Sequence, residues 1–178
     1  IAPYPAELTE IWQPRRVPGQ PGDALLIRPI RPEDAEAHGA FFRRLAPDDV
    51  RFRFFSMLRE LSAEQTARMT QVDYGLEMAF IAVRPATGET VGVCRLIREP
   101  YTDRGEFAVV VQPDMKGREL ARRLMQRLID WGQAQGMNEI VGQVLADNAP
   151  MLGFVRSLGF RVRRLPDDPE VVEASLAL

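Results

Sequence analysis

The sequence predicts an α/β domain, a mixed sheet covered by helices. Three observations predict it. Short strand-like runs rich in Val, Ile, Phe and Ala are interleaved with runs whose apolar residues recur at helical spacing. Proline, glycine or a capping residue punctuates most of the boundaries between them. The chain has 178 residues, 46% of them hydrophobic, enough for one domain to bury a core without a disulfide or metal staple.

Residues 1–23 read as a proline- and glycine-rich linker or the tail of a preceding region. Pro3, Pro5, Pro14, Pro18-Gly19 and Pro21-Gly22 disfavour helix and interior strand there. The folded domain is expected over residues 24–178. Ala24 to Arg28 is a short apolar strand stopped by Pro29 and Pro32. Pro32-Glu33-Asp34 opens a helix, its acidic first turn favourable to the helix dipole, that carries Ala35, Phe41, Phe42 and Leu45. Pro47-Asp48-Asp49 repeats the signal for a helix from Asp49 to Phe55. Ser62 with Gln65 three residues later forms a capping box for a third helix, ending about Gln71. Glu77 to Arg84 and Thr90 to Arg98 are strands of an antiparallel hairpin joined by the turn Ala86-Thr87-Gly88-Glu89. Arg104 to Gln112 is a further strand, closed by Pro113. Leu120, Leu124, Leu128 and Trp131 mark one face of a long helix that Gly136 ends. A strand from Glu139 to Leu145, a helix from Asn148 to Leu158 and strands at 159–162 and 171–178 complete the order.

Composition removes several function classes. A net charge of −2 does not suggest a nucleic-acid partner. Cys94 and His38 are each the only residue of their type, so a disulfide framework and a multi-cysteine metal site are excluded, and no metal is expected. No apolar run approaches the ~20 residues of a membrane helix, and no signal peptide is evident, so a cytoplasmic protein without membrane partners is expected. Cys94 reads as a buried small hydrophobe and His38 as a partly exposed helix residue. Arg51-Phe52-Arg53-Phe54-Phe55 reads as an amphipathic helix with its phenylalanines inward, not as a stacking platform for nucleic acid.

Chemistry concentrates where the strand at 104–112 gives way to the long helix. The first helical turn offers backbone N–H groups that nothing inside the helix can satisfy. The helix dipole and Gly117, which lets a ligand approach the main chain, make an anion site suited to pyrophosphate. Lys116, the only lysine, with Arg118, Arg122 and Arg123 would add positive charge. On local pattern alone, an ordinary loop-to-helix junction with a solvated arginine face has equal weight.

The segment resembles motif A of the GNAT N-acetyltransferase superfamily, in which a strand ending V-x-P precedes R/Q-x-x-G-x-G/A. Val111-Gln112-Pro113 matches the strand end and Lys116-Gly117-Arg118-Glu119-Leu120-Ala121 the loop. Lys116 stands where Arg or Gln is usual, and Glu119 where glycine is usual. Asn148, Met151 and Leu158-Gly159-Phe160 resemble motif B. Several further segments look like the bacterial protein lysine acetyltransferases, whose GNAT domain follows an acyl-CoA synthetase-like (NDP-forming) region. They are 27–34, Arg53-Phe54-Phe55-Ser56, Asp73-Tyr74, Glu77-Met78-Ala79, 106–110 and the opening 1–8, which looks like the end of that larger region.

The resemblance implies a mostly antiparallel GNAT-like sheet, splayed to admit acetyl-CoA as cosubstrate. The strand at Val109, Val110 and Val111 would take the pantetheine, pairing through the backbone of Val109 and Val111. The amides of Gly117, Arg118, Glu119, Leu120 and Ala121 would take the pyrophosphate, with Lys116 and Asn148 beside the coenzyme. Glu106, five residues before Val111, has the spacing of the catalytic glutamate in protein-acetylating members and is the expected general base. Glu77 is a second carboxylate to share that work or steer a cationic lysine. Val155 stands where many members carry a tyrosine acid, so Tyr74 is the remaining candidate acid. The Val109 N–H would hold the oxyanion. The implied reaction is acetyl transfer to a lysine of a protein such as a metabolic acyl-CoA synthetase. A small-molecule amine acceptor and a non-catalytic acyl-CoA sensor are the alternatives.

Overall fold

A computed structural model describes residues 2–55 and 60–178. Ile1 and Ser56, which belong to two of the segments quoted above, lie outside the described residues. Eight strands form one sheet: β1 (Glu10–Trp12), β2 (Leu25–Pro29), β3 (Glu77–Val83), β4 (Thr90–Arg98), β5 (Arg104–Val111), β6 (Glu139–Leu145), β7 (Arg161–Leu165) and β8 (Asp168–Ala177). Their order is β1-β2-β3-β4-β5-β6-β8-β7. Every neighbouring pair is antiparallel except β5 with β6. Among the described residues there are also five α-helices, α1 (Ala35–Arg43), α2 (Pro47–Phe54), α3 (Ala63–Thr70), α4 (Leu120–Ala134) and α5 (Ala149–Ser157), and three short 3-10 turns.

Strand alternation sends one set of side chains to each face. Phe80, Cys94, Phe107, Val109 and Val111 join Leu120, Leu124, Leu128 and Trp131 of α4 in one core. Ala79, Ile81 and Val93 join Ile30, Phe41, Phe42 and Val50 in a second core under α1 and α2. The capping box at α3 forms as its sequence requires, Gln65 N–H donating to Ser62 Oγ at 3.1 Å and Ser62 N–H to Gln65 Oε1 at 2.8 Å.

The leader, residues 2–23, carries a short strand. Residues 10–12 add β1 to the edge of β2, with Glu10 opposite Ile27. What holds this strand comes from far along the chain. Glu10 accepts from Arg123 at 2.6 and 2.8 Å and pairs with Arg127 at 2.9 Å, both on α4. Ile11 remains 78% exposed, so the strand carries no apolar alternation by which the sequence could reveal it.

His38 is buried, not partly exposed, because α1 turns it toward Phe41 and the sheet. Burial, with the charges of Arg95 and Arg53, pushes its pKa down to about 4. Below pH 6.5 the unfolded chain therefore takes up a proton that folded His38 refuses, and stability falls until about pH 4. The expected loss over that window is about 3 kcal/mol. His38→Phe should remove most of this acid sensitivity, which urea denaturation at pH 7 and pH 5 will measure.

Candidate active site

The parallel pair β5–β6 is short. Its register runs Arg104↔Glu139, Gly105↔Ile140 and Glu106↔Val141 and then stops, although both strands continue. Phe107, the next residue, lays its ring over Gly142 of β6, where an added Cβ would stand 2.5 Å from the ring. The strands part there. Gly142→Ala should force the Phe107 ring out of this contact and lower stability by about 1–3 kcal/mol, read from the thermal midpoint.

The unpaired edge of β5 has a definite hand. Gln112 N–H donates to Val91 O and Glu99 N–H to Arg104 O, so the even-numbered residues of β5 turn their backbone toward β4. Phe107, Val109 and Val111 therefore turn theirs toward the gap. Val110 does not. It meets the gap only through its side chain, its own amide belonging to the β4 ladder.

A cleft of about 800 Å³ continues from this gap to the start of α4. At that end lies a run of backbone donors. No amide from Gly117 to Arg122 finds an acceptor among the described residues. Two left-handed residues produce this, Gly117 at φ 76° and Glu119 at φ 69°. They turn successive N–H groups outward just before the positive end of the α4 dipole. An extended ligand with amides at one end and phosphates at the other fits this arrangement of free strand edge and free helix start.

A family model described as an acetyltransferase (GNAT) domain matches residues 24–161. The chain belongs to the GNAT acetyltransferase family. Its acetyltransferase PA5475 relative from Pseudomonas aeruginosa is 35% identical over 159 residues, covering 88% of this chain and 86% of that one. The L-methionine sulfoximine/L-methionine sulfone acetyltransferase of the same species is 37% identical over 64 residues, covering 36% of this chain and 37% of that one. The crystal structure of the GNAT domain of S. lividans PAT superposes with a TM-score of 0.89 at 26% identity, covering 99% of this chain and all of that one. The protein is thus an acetyl-CoA-dependent acetyltransferase, with the mixed, mostly antiparallel open sheet of that family. Among the described residues no helix is long and apolar enough to cross a membrane, and no three His, Cys, Asp or Glu side chains group as a metal site.

The acetyltransferase gathers most of the expected residues on one cleft. Glu106, Val109, Val110, Val111, Lys116, Gly117, Glu119, Leu120, Ala121 and Asn148 all line it. Glu106 is exposed on its wall and is the last residue of β5 paired with β6 before the strands part. Asn148 caps α5, its side chain accepting from Met151 N–H at 3.2 Å. Lys116 extends to α2, its Nζ donating to both carboxylate oxygens of Asp49 at 2.8 Å.

Four residues stand elsewhere. The Arg118 side chain is buried and turns away from the cleft. It donates to Arg15 O at 2.6 Å, Pro21 O at 2.8 Å and Gln20 Oε1 at 3.2 Å, three acceptors of the leader. Arg123 is likewise taken by Glu10. Neither adds charge to a phosphate site. Tyr74 lies off the cleft, packed edge-on against Tyr4 with ring centroids 5.7 Å apart, and its hydroxyl donates to Ile30 O. Burial pushes its pKa up, further from an acid's role at neutral pH. Glu77 shares a face and a row with Glu106, but Ile97 stands between them. Two strand spacings put their Cα atoms about 9–10 Å apart. Glu77 pairs instead with buried Arg95 at 3.7 Å, and burial raises its pKa.

Residues of α2 complete the wall opposite α5. Phe54 packs edge-on against Phe42 with centroids 5.5 Å apart, as an inward residue should. Phe54 also reaches the cleft, and Phe52 and Phe55 line it beside Phe54, so the phenylalanines are not all inward. The helix ends at Phe54, and Phe55 adopts φ 56°, which takes it out of the helical pattern. The arginine–phenylalanine alternation held a signal for this wall, but in sequence it reads as an amphipathic helix with its phenylalanines inward.

Proposed function

We propose that this acetyltransferase moves the acetyl group of acetyl-CoA to the side-chain amine of a protein lysine, by direct attack, with Glu106 as general base. The observation that carries this is the position of Glu106. It stands at the vertex where β5 and β6 part, on an exposed wall, three residues before the outward-turned N–H of Val109. A lysine amine, with a pKa near ~10.4, arrives protonated and must lose its proton before it can attack. Glu106 takes that proton, directly or through water. The neutral nitrogen adds to the thioester carbonyl, whose developing oxyanion the Val109 N–H meets, the nitrogen gives its second proton to water, and the C–S bond breaks to release CoA thiolate and leave the amide. Among the described residues lining the cleft there is no tyrosine, histidine or cysteine. The thiolate leaves without a side-chain acid, which a leaving-group pKa of order ~8.5 permits.

The resemblance of segments such as 27–34 and 106–110 to bacterial protein lysine acetyltransferases supports a protein acceptor. The likeness over 64 residues to an enzyme named for methionine sulfoximine supports a second reading, a small amine. CoA release with a purified acyl-CoA synthetase, compared with release with L-methionine sulfoximine, tests the choice. Release that depends on the synthetase and leaves acetyl-lysine on it is expected. Release with the small amine alone would transfer the function to the second reading.

A further inference from the structure

Of the three cations that line the cleft among the described residues, two are already paired. Lys116 is held by Asp49, and Arg122 by Glu119 at 3.3 Å and Ser157 at 2.8 Å. Arg53 is different. Its guanidinium lies 4.8 Å from the centroid of the Phe54 ring, and among the described residues none of its five donors meets an acceptor. One side of it faces the cleft with Glu106, Ala108 and Val110. The other closes a small cavity of about 20 Å³ shared with His38 and Arg95. Burial and the Arg95 charge push its pKa down to about 10, so it remains a cation at neutral pH.

Arg53 is half-buried and its nearest opposite charge is Glu106, which pulls its pKa back up but makes no ion pair with it, so its guanidinium fork stays free for an anionic ligand. The coenzyme's phosphates are not that ligand. Their place is the run of free amides at 117–122, at the other end of the cleft and beyond Val111. Around Glu106 the acetyltransferase instead presents one negative and one positive side chain side by side. Their electrostatic complement is an ammonium beside a carboxylate. A lone ammonium would gain from Glu106 and be opposed by Arg53.

We infer that Arg53 is the carboxylate receptor of the acceptor site, so the amine acetylated beside Glu106 belongs to a chain or molecule that carries a carboxylate near it. This rests on the acetyl-transfer chemistry proposed above. On a protein, the carboxylate is an aspartate or glutamate flanking the target lysine. On a small acceptor it is the α-carboxylate of an amino acid. The guanidinium fork suits either, by two parallel N–H···O bonds.

The test compares four acceptors: a blocked peptide with lysine among glycines, the same peptide with aspartate after the lysine, L-methionine and L-methioninamide. Initial rates are read as kcat/KM, and peptide affinity by calorimetry. Wild type should favour the carboxylate-bearing member of a pair by tenfold or more. Arg53→Gln should bring that ratio close to one while the KM for acetyl-CoA stays unchanged, and Arg53→Lys should keep part of it. Equal use or equal binding of both members of each pair by wild type would overturn the assignment, whether or not the variants fold. Preference confined to the two free amino-acid compounds would support Arg53 and overturn the protein-lysine reading. Acetylation of both peptides alike would do the reverse.

Discussion

Glu106→Gln is expected to lower acetyl transfer by at least ~100-fold while acetyl-CoA binding stays within a factor of two. The substitution keeps the shape of the side chain and removes only its ability to take a proton. Structural damage is not expected to confuse the result. Glu106 is exposed and makes no hydrogen bond or ion pair among the described residues, so its replacement leaves no buried partner behind. Initial rates at saturating acetyl-CoA, together with the dissociation constant from calorimetry, separate the two effects. An unchanged kcat would remove Glu106 from the chemistry. Glu77 supplies the internal comparison. Its Arg95 ion pair and its place one strand further away predict that Glu77→Gln changes kcat by less than tenfold.

Glu119 should show the opposite behaviour, a gain of function on replacement. It occupies the left-handed region at φ 69°, where a side chain costs about 1 kcal/mol relative to glycine, at the position where the GNAT pattern carries glycine. Its carboxylate also lies within the run of free amides expected to meet phosphate. Arg122 at 3.3 Å and Arg15 at 3.9 Å offset part of that negative charge. Glu119→Gly removes both disadvantages, and acetyl-CoA affinity should rise about tenfold. Glu119→Gln keeps the backbone strain and loses the charge, so most of the gain should persist if repulsion dominates. Calorimetric titration of acetyl-CoA into both variants decides it. Unchanged or weaker binding in both would place the phosphates away from this loop.

The elements that carry local signals were legible in the sequence. β4 and β6 have the expected limits because apolar strand runs end at polar or turn residues, and α3 starts at its capping box. The parting of β5 from β6 was legible only through family resemblance, since it depends on Phe107 meeting Gly142 across the sheet. The leader strand was not legible, its anchors being Arg123 and Arg127 more than a hundred residues away. The same limit affected the arginines. Sequence proximity to Gly117 put Arg118 and Arg123 beside the phosphates, whereas the turn before α4 sends Arg118, and the helix face sends Arg123, toward the leader. Tyr74 and His38 show the converse, residue types suited to chemistry that the fold spends on packing. Arg53 was visible as part of a helix, but its lack of a partner emerges only when every other cleft cation has been paired.

The most direct measurement is backbone hydrogen exchange across the protein, with and without acetyl-CoA. Binding in the notch predicts new protection at Val109 and Val111, whose N–H groups face the gap, and across 117–122, whose amides meet no acceptor among the described residues. Exchange in β7 and at the β1 edge should stay as it was. Protection that spares 107–111 and 117–122 while appearing elsewhere would contradict the placement of the coenzyme, and with it the role of Glu106.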